Sequence, residues 1–410
     1  MRTPNPLFAP EGTAADNSPA TAPPPERPPR LDSIDLLRGI AMVLMALDHV
    51  RDFFTNVRFD PLDLTQTSTA LFLTRWITHY CAPGFVFLAG TAAFLSLSRG
   101  RSRGQLSQFL LTRGLWLVFL ELTVVRFAWL FNLDYSLSFG QVIWAIGWSM
   151  VVLSLLVRFP AIWSAVFGVA IIALHNLTDT IEPDSFGSLS WLWKILHVQE
   201  QIQLGSGAVF VTAYPLIPWI GVMAAGYAFG EIVRWEPARR RRAFLWIGGV
   251  ATGLFLLLRV SNIYGDPSLW EVQPSAHLTI LSILNTTKYP PSLLYLLMTL
   301  GPAILLLPLL ERWRGWLVQA LIVFGRVPLF YYVLHIIVGH ALAVLAALAS
   351  GHDPWFMFAN NPPWEWPEGF GFSLPVVFAI WIGVVVGLYP VCRWFAAVKR
   401  KSRSRWLSYL

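Results

Sequence analysis

Residues 34–54, IDLLRGIAMVLMALDHVRDFF, are apolar enough to be buried, yet they include a guanidinium at Arg38 and an imidazole at His49. The two are eleven positions apart, which at 100° per residue is within about 20° of three full turns. A helix therefore presents both on one face, about 16 Å apart along its axis. Guanidinium groups bind phosphate in a bidentate manner, and imidazole removes a proton from an attacking hydroxyl or amine. The pair indicates acyl transfer from an anionic donor such as acyl-CoA, bound near Arg38.

A structural interpretation of the two residues is also open. Arg38 would extend toward lipid phosphate, and His49 would hydrogen-bond to a neighbouring helix. An ionisable residue inside a membrane is nevertheless a functional hypothesis by default. The turns around His49 also carry three charged residues, Asp48, Arg51 and Asp52. Because these groups are clustered, we predict catalytic roles for His49 and Asp48.

The stretch TRWITHYCAPGFVFLAG brings a second imidazole, His79, to the start of the next apolar run. If the topology derived below holds, His79 enters from the side that His49 faces. The two imidazoles would then supply a general base and a group that stabilises the opposing charge. The alternative is an interfacial residue beside the aromatic belt. Cys81 is predicted to pack rather than to act as a nucleophile.

Glu121 and Arg126 lie in the third apolar run, LVFLELTVVRFAW. They are five residues apart, too far round a helix for a regular i, i+4 pair, so each is expected to reach a different partner. Glu121 is placed to neutralise a cation on the first span. The predicted supporting ion network comprises Arg51, Asp52, Glu121 and Arg126.

His335 and His340 are also five residues apart and point about 140° away from each other on a helix. The two cannot both face one site, so a proton relay between them has little support. The other four histidines fall in or beside predicted outer loops and indicate no chemistry. They are His175, His197, His277 and His352.

The composition sets the class of protein. Only 13% of the 410 residues are charged and 55% are hydrophobic, whereas a soluble domain is about a quarter charged. About 20 mostly apolar residues cross the hydrocarbon core as a helix, which predicts an all-α, polytopic bundle of about ten spans. The apolar runs are 36–50, 82–98, 115–131, 141–157, 160–175, 209–230, 243–259, 291–310, 328–349 and 373–397.

Basic residues cluster in short loops that all fall on one side of this arrangement, at 98–105, 238–244, 311–316 and 399–405. The positive-inside rule predicts that this side is cytoplasmic. Both termini are predicted to lie on the same side. The long loops then lie outside, at 177–208, 261–288 and 350–372. The net charge of +7 is thus explained by topology, and no nucleic-acid partner is expected.

Three segments are predicted along the chain: a disordered, Pro/Ala-rich cytoplasmic tail (1–30), a transmembrane domain (31–398) and a basic cytoplasmic tail (399–410). Residues 316–328 are predicted to form an interfacial helix. The two cysteines lie in different segments and offer no metal-binding spacing, so no metal is expected.

Several motifs together resemble bacterial members of the heparan-alpha-glucosaminide N-acetyltransferase catalytic-domain family, over about residues 30 to 395. The motifs are RLDSIDLLRGIAMVLMALDHVRDFF, THYCAPGFVFLAGTAAFL, YPLIPWIGVMAAGYAFG, KYPPSLLYLLMTLG and FGRVPLFYYVLH. The first also resembles the Arg-x10-His signature of the related transmembrane acyltransferase family 3, matched here by Arg38 and His49. The chain departs from the lysosomal enzymes in having no histidine within 55–75.

The resemblance implies a membrane acetyltransferase that takes acetyl from cytoplasmic acetyl-CoA and passes it to a sugar on the far side. Arg38 would serve the CoA donor and His49 the transfer. The sequence favours this enzyme, in a bacterial cytoplasmic membrane, with a carbohydrate or lipid-linked acceptor. The alternative is a transporter or flippase that moves its substrate along the polar residues of the first span, although no internal repeat supports it. A purely structural membrane protein is a third interpretation, and the oligomeric state is left open.

Overall fold

The computed structural model describes residues 31–98 and 100–402, so the predicted 1–30 tail and most of the 399–410 tail lie outside the described residues. The chain is mostly helical. Its helices are α1 (Asp32–Phe54), α2 (Thr69–Thr78), α3 (Cys81–Leu97), α4 (Arg103–Leu120), α5 (Arg126–Leu130), α6 (Val142–Leu156), α7 (Ala161–Leu174), α8 (Ser190–Leu196), α9 (Leu216–Val233), α10 (Pro237–Ser261), α11 (Ala276–Leu284), α12 (Leu293–Leu310), α13 (Trp316–Arg326), α14 (Pro328–Ala349) and α15 (Leu374–Lys401).

The prediction of a polytopic helical protein is confirmed. Within the described ranges, eight helical stretches are long and apolar enough to cross a membrane. They are Thr69–Leu97, Arg103–Leu130, Ala161–Thr178, Leu216–Val233, Pro237–Ser261, Leu293–Leu310, Pro328–Ala349 and Leu374–Lys401. The other two predicted spans coincide with α1, which carries six charged residues, and with α6, which has 15 residues. The number of spans and the side of the termini stay predictions.

The second span begins earlier than the sequence indicated. Residues 69–78, expected to be loop, form α2, because Ser68 caps the helix by accepting a hydrogen bond from the Leu71 N–H. The helical path continues from α2 through His79 and Tyr80 into α3. His79 therefore lies within the helical path rather than in a loop before it.

Residues 316–326 form the predicted helix, α13, and it packs directly on α1. The two backbones meet at glycines. A Cβ on Gly39 would lie 1.9 Å from the Leu321 carbonyl oxygen, and one on Gly325 would lie 1.9 Å from the Asp35 carbonyl oxygen. Small residues permit this approach of membrane helices. The contact fixes α13 against the turn of α1 that carries Arg38.

Short strands lie between the helices, and one of them occupies the start of the predicted span 209–230, whose helix α9 begins only at Leu216. Strands β1 (Leu137–Phe139), β2 (Gln201–Leu204) and β3 (Ala208–Val211) form a sheet in the order β1-β3-β2. β1 is parallel to β3, and β2 is antiparallel to it. The segment that follows α1 is also fixed, because Thr55 bridges to Phe372.

Candidate functional site

The imidazole of His49 is paired with that of His335 from α14. Nδ1 of His49 lies 2.7 Å from Nε2 of His335, and the two rings are nearly parallel. His340 faces elsewhere, with its ring nitrogens against the carbonyl oxygens of Ala128 and Met357. The predicted divergence of the two α14 histidines is therefore observed. Sequence reasoning missed His335 because it compared that residue only with its neighbour on the same helix.

The hydrogen bonds of this pair fix the tautomer of each ring. Nδ1 of His335 lies 2.8 Å from the Tyr331 carbonyl oxygen, which can only accept, so Nδ1 carries the proton. In a neutral His335 ring, Nε2 then holds a lone pair and must accept from Nδ1–H of His49. Nε2 of a neutral His49 is left with its lone pair, which is the state that a general base requires.

The His49 ring is the more accessible member of the pair. His49 is partly exposed, whereas Val50 and His335 are each 1% exposed. Nε2 of His49 has no hydrogen-bond partner among the described residues. Trp129 and Tyr332 stand edge-on to the ring, with centroids 5.0 and 5.9 Å away. Two aromatic rings thus flank His49, whose Nε2 is left to bond to a group outside the described chain.

Asp48 is the centre of an ion cluster. Its carboxylate accepts hydrogen bonds from Arg51 at 2.6 Å, from Arg75 of α2 at 2.7 Å and from the Thr78 hydroxyl at 3.0 Å. Arg51 also pairs with Asp52 at 2.9 Å. The structure thus brings Arg51 and Asp52 together as an ion network. No hydrogen bond within the described ranges joins Asp48 to the His49 ring, because adjacent residues of a helix point about 100° apart.

His79 is fully buried, and neither ring nitrogen has a hydrogen-bond partner in the described part of the chain. Its ring packs 5.3 Å from that of Tyr295, whose hydroxyl donates to the His79 carbonyl oxygen at 2.8 Å. His79 and His49 are not hydrogen-bonded to each other, but both interact electrostatically with Asp48. The Cys81 thiol donates to the Ala41 carbonyl oxygen at 3.3 Å, which suits a packing role.

Lys288, which sequence reasoning passed over, is also part of this region. It is 8% exposed, and its Nζ lies 5.0 Å from the centre of the Tyr289 ring. It lies within electrostatic range of Asp48, His49 and His79. A signal was available in the motif KYPP, which places a lysine immediately before a proline-initiated span. A lysine there lies at the membrane end of a helix that packs against α3.

Arg38 lies at the other end of α1. Nη1 donates to the Asp35 carboxylate and to the Gly325 carbonyl oxygen, each at 3.1 Å. Arg326 joins this group through Asp32 at 3.2 Å. Arg38 thus contacts α13 while His49 contacts α14, the next helix, which is consistent with the predicted shared face. Met42 and Met45, which lie between Arg38 and His49 along α1, are buried.

Glu121 and Arg126 lie away from this cluster and serve different partners. Glu121 accepts from the backbone N–H groups of Gln141 and Trp144 at the start of α6, at 3.2 Å each. No ion pair joins it to α1 within the described ranges. The Arg126 guanidinium donates to Leu137 and Asn132, and also contacts the Asp134 carbonyl oxygen. Both side chains hold loop or helix-end backbone and do not contact the His49 ring.

A family model described as "Heparan-alpha-glucosaminide N-acetyltransferase, catalytic" matches residues 30–269, more than half of the chain. The chain belongs to this family. The resemblance noted in the sequence is thereby confirmed, and the chain is a multi-pass membrane acetyltransferase. The match includes His49, Asp48, Arg75 and His79, whereas His335 lies beyond it. A comparison with curated proteins found no match.

Proposed function

We propose that this acetyltransferase moves an acetyl or longer acyl group from cytoplasmic acyl-CoA to a carbohydrate or lipid-linked acceptor on the outer side of a bacterial cytoplasmic membrane. The observation that carries the proposal is the His49–His335 pair, whose hydrogen bonds leave an accessible lone pair on Nε2 of His49. In a family of acetyltransferases, such a lone pair supports the role of general base.

The reaction follows from that lone pair. As the acceptor oxygen or nitrogen attacks the thioester carbonyl carbon, Nε2 of His49 takes the acceptor's proton. The C–S bond then breaks, and the same proton passes to the CoA thiolate. The products are the acylated acceptor and free CoA. His335 holds His49 in the required tautomer, as the third member of a catalytic triad does for its imidazole.

Arg38 is proposed to bind the donor. Its distance from His49 along α1, about 16 Å, suits a long molecule with a charged nucleotide at one end and a thioester at the other. Arg326 lies within the same group of charges. Two guanidinium groups at this end supply the fork geometry that binds phosphate. Under the predicted topology, this end faces the cytoplasm, where acyl-CoA is found.

Acetyl-CoA is expected to stabilise the purified protein in detergent, and Arg38→Ala is expected to abolish the effect. Ligand binding to the native state adds about 2.7 kcal/mol when the ligand is at 100 times its Kd. The measurement is Tm with and without saturating acetyl-CoA. Arg314→Ala is the control, since Arg314 is exposed and contacts only carbonyl groups of its own turn. An unchanged Tm of the wild-type protein would contradict donor binding and favour the transporter.

Replacing His335 by leucine is expected to lower kcat by about 10- to 100-fold, as loss of an outer partner does for metal-ligating histidines. The pH dependence of kcat should also shift, because Nδ1–H of His49 would lose its acceptor. His335→Gln is the matched variant, since the glutamine amide oxygen can take the place of Nε2 and should restore most of the rate. Equal losses in both variants, with an unshifted pH profile, would show that His335 only packs.

A further inference from the structure

Buried polar atoms without hydrogen-bond partners in the described chain lie near the C-terminal half of α1. Both ring nitrogens of the fully buried His79 are unpartnered within the described part of the chain, and so is Nη1 of Arg51, a residue that is 2% exposed. Buried polar groups in native proteins are nearly always hydrogen-bonded, so each exception requires an explanation. Two such exceptions from different helices, both close to Asp48, leave N–H groups that a bound anion could satisfy.

The balance of charges in this region also favours a bound anion. Arg51, Arg75 and Lys288 contribute three positive charges, against two negative charges from Asp48 and Asp52. Both carboxylates are already paired with arginines. No carboxylate lies within ion-pair distance of Lys288 in the described ranges; the side chain instead faces the Tyr289 ring. A buried ammonium without a counter-charge is costly, and a bound anion would offset that cost.

Tyrosines extend the region on the side of Lys288. The rings of Tyr289 and Tyr214 meet at 5.3 Å, and Tyr295 packs against His79. Aromatic faces beside a cation form a wall against which the body of a polar ligand can pack while its charge is neutralised. The site is thus built from several helices rather than from one helix end.

We propose that Lys288, Arg51 and His79 form a binding site for the phosphate or carboxylate group of an anionic acceptor. The inference rests on the proposed function and narrows the acceptor to molecules that carry such a group near the acylated hydroxyl or amine. The site lies along α1 at the opposite end from Arg38, which assigns it to the acceptor rather than to the donor. Lys288 supplies a positive charge that has no carboxylate within ion-pair distance in the described ranges. Arg51 and His79 supply N–H groups that have no acceptor there.

The test uses inorganic phosphate as the probe and Tm of the purified protein as the readout, against chloride at equal ionic strength. Phosphate is expected to raise the Tm of the wild-type protein in a saturable manner. Lys288→Gln should lose the shift, whereas Lys194→Gln should keep it, because Lys194 is paired with Glu200 elsewhere. Equal shifts in all three proteins would reflect the general stabilising effect of phosphate and would overturn the proposal, as would no shift in the wild type.

His79→Leu provides a second variant if Lys288→Gln does not fold. Its ring nitrogens have no partner to lose among the described residues, so the apolar substitute should fold and should weaken the phosphate effect several-fold. An undiminished effect would count against the site.

Acetyl-CoA distinguishes the two sources of phosphate. If Lys288→Gln keeps its stabilisation by acetyl-CoA, the site belongs to the acceptor. If it loses that stabilisation too, the donor's phosphates bind here, and the assignment to the acceptor is wrong. Failure of the proposed function is a separate result, namely no stabilisation of the wild-type protein by acetyl-CoA.

Discussion

Replacing His49 by alanine is expected to reduce acyl transfer by about 10²- to 10⁴-fold, the range that a general acid–base group contributes. The variant loses the Nε2 lone pair and leaves His335 with no imidazole to orient. The measurement is transfer of radiolabel from acetyl-CoA in proteoliposomes that contain the lipids and lipid-linked saccharides of a bacterial membrane. The loss is expected in kcat, because Arg38, the proposed donor site, is untouched.

Two controls separate this chemical effect from a folding defect. His49→Ala should retain the Tm increase caused by acetyl-CoA. His352→Ala should transfer label at the wild-type rate, since His352 contacts Ser350 and Phe370 in the 350–372 loop and not the His49 site. A correctly folded His49→Ala protein with undiminished transfer would remove the proposed mechanism.

Replacing Asp48 by asparagine is expected to destabilise the protein by about 3–5 kcal/mol, the cost of breaking a buried ion pair from one side. The Arg51 side chain is 3% exposed and the Arg75 side chain 18%, so both guanidinium groups would lose their counter-charge away from water. The measurement is the denaturant dependence of unfolding in detergent, with Tm as a second readout.

A matched pair of variants tests this explanation. Glu200→Gln removes a carboxylate whose partner is Lys194 and whose side chain is 43% exposed, so a loss below about 1 kcal/mol is expected for such a pair. In the double variant Asp48→Asn/Arg75→Met, part of the loss should be recovered, because one uncompensated charge is also removed. If Asp48→Asn cost no more than Glu200→Gln, the cluster would not be the buried network described here.

Features that depend on neighbours along the chain were accessible from the sequence. Apolar runs indicated the long helices that can cross a membrane, because a span must satisfy its backbone groups within itself. The motifs around Arg38 and His49 identified the family. Their shared face followed from helical periodicity alone, and the structure places them against consecutive helices, α13 and α14. The start of α2 was missed because one capping residue, Ser68, decided it.

Only the tertiary structure decided which groups meet. His49 and His335 are 286 positions apart, and Arg75 reaches Asp48 from another helix. Glu121 was expected to face a cation and instead caps the backbone of α6. Periodicity predicts the face of a helix on which a side chain lies, but the packing of helices determines what that face contacts. The sequence therefore determined the membrane-protein class and the family, whereas the partner of His49 and the partners of Asp48 depended on how distant helices pack.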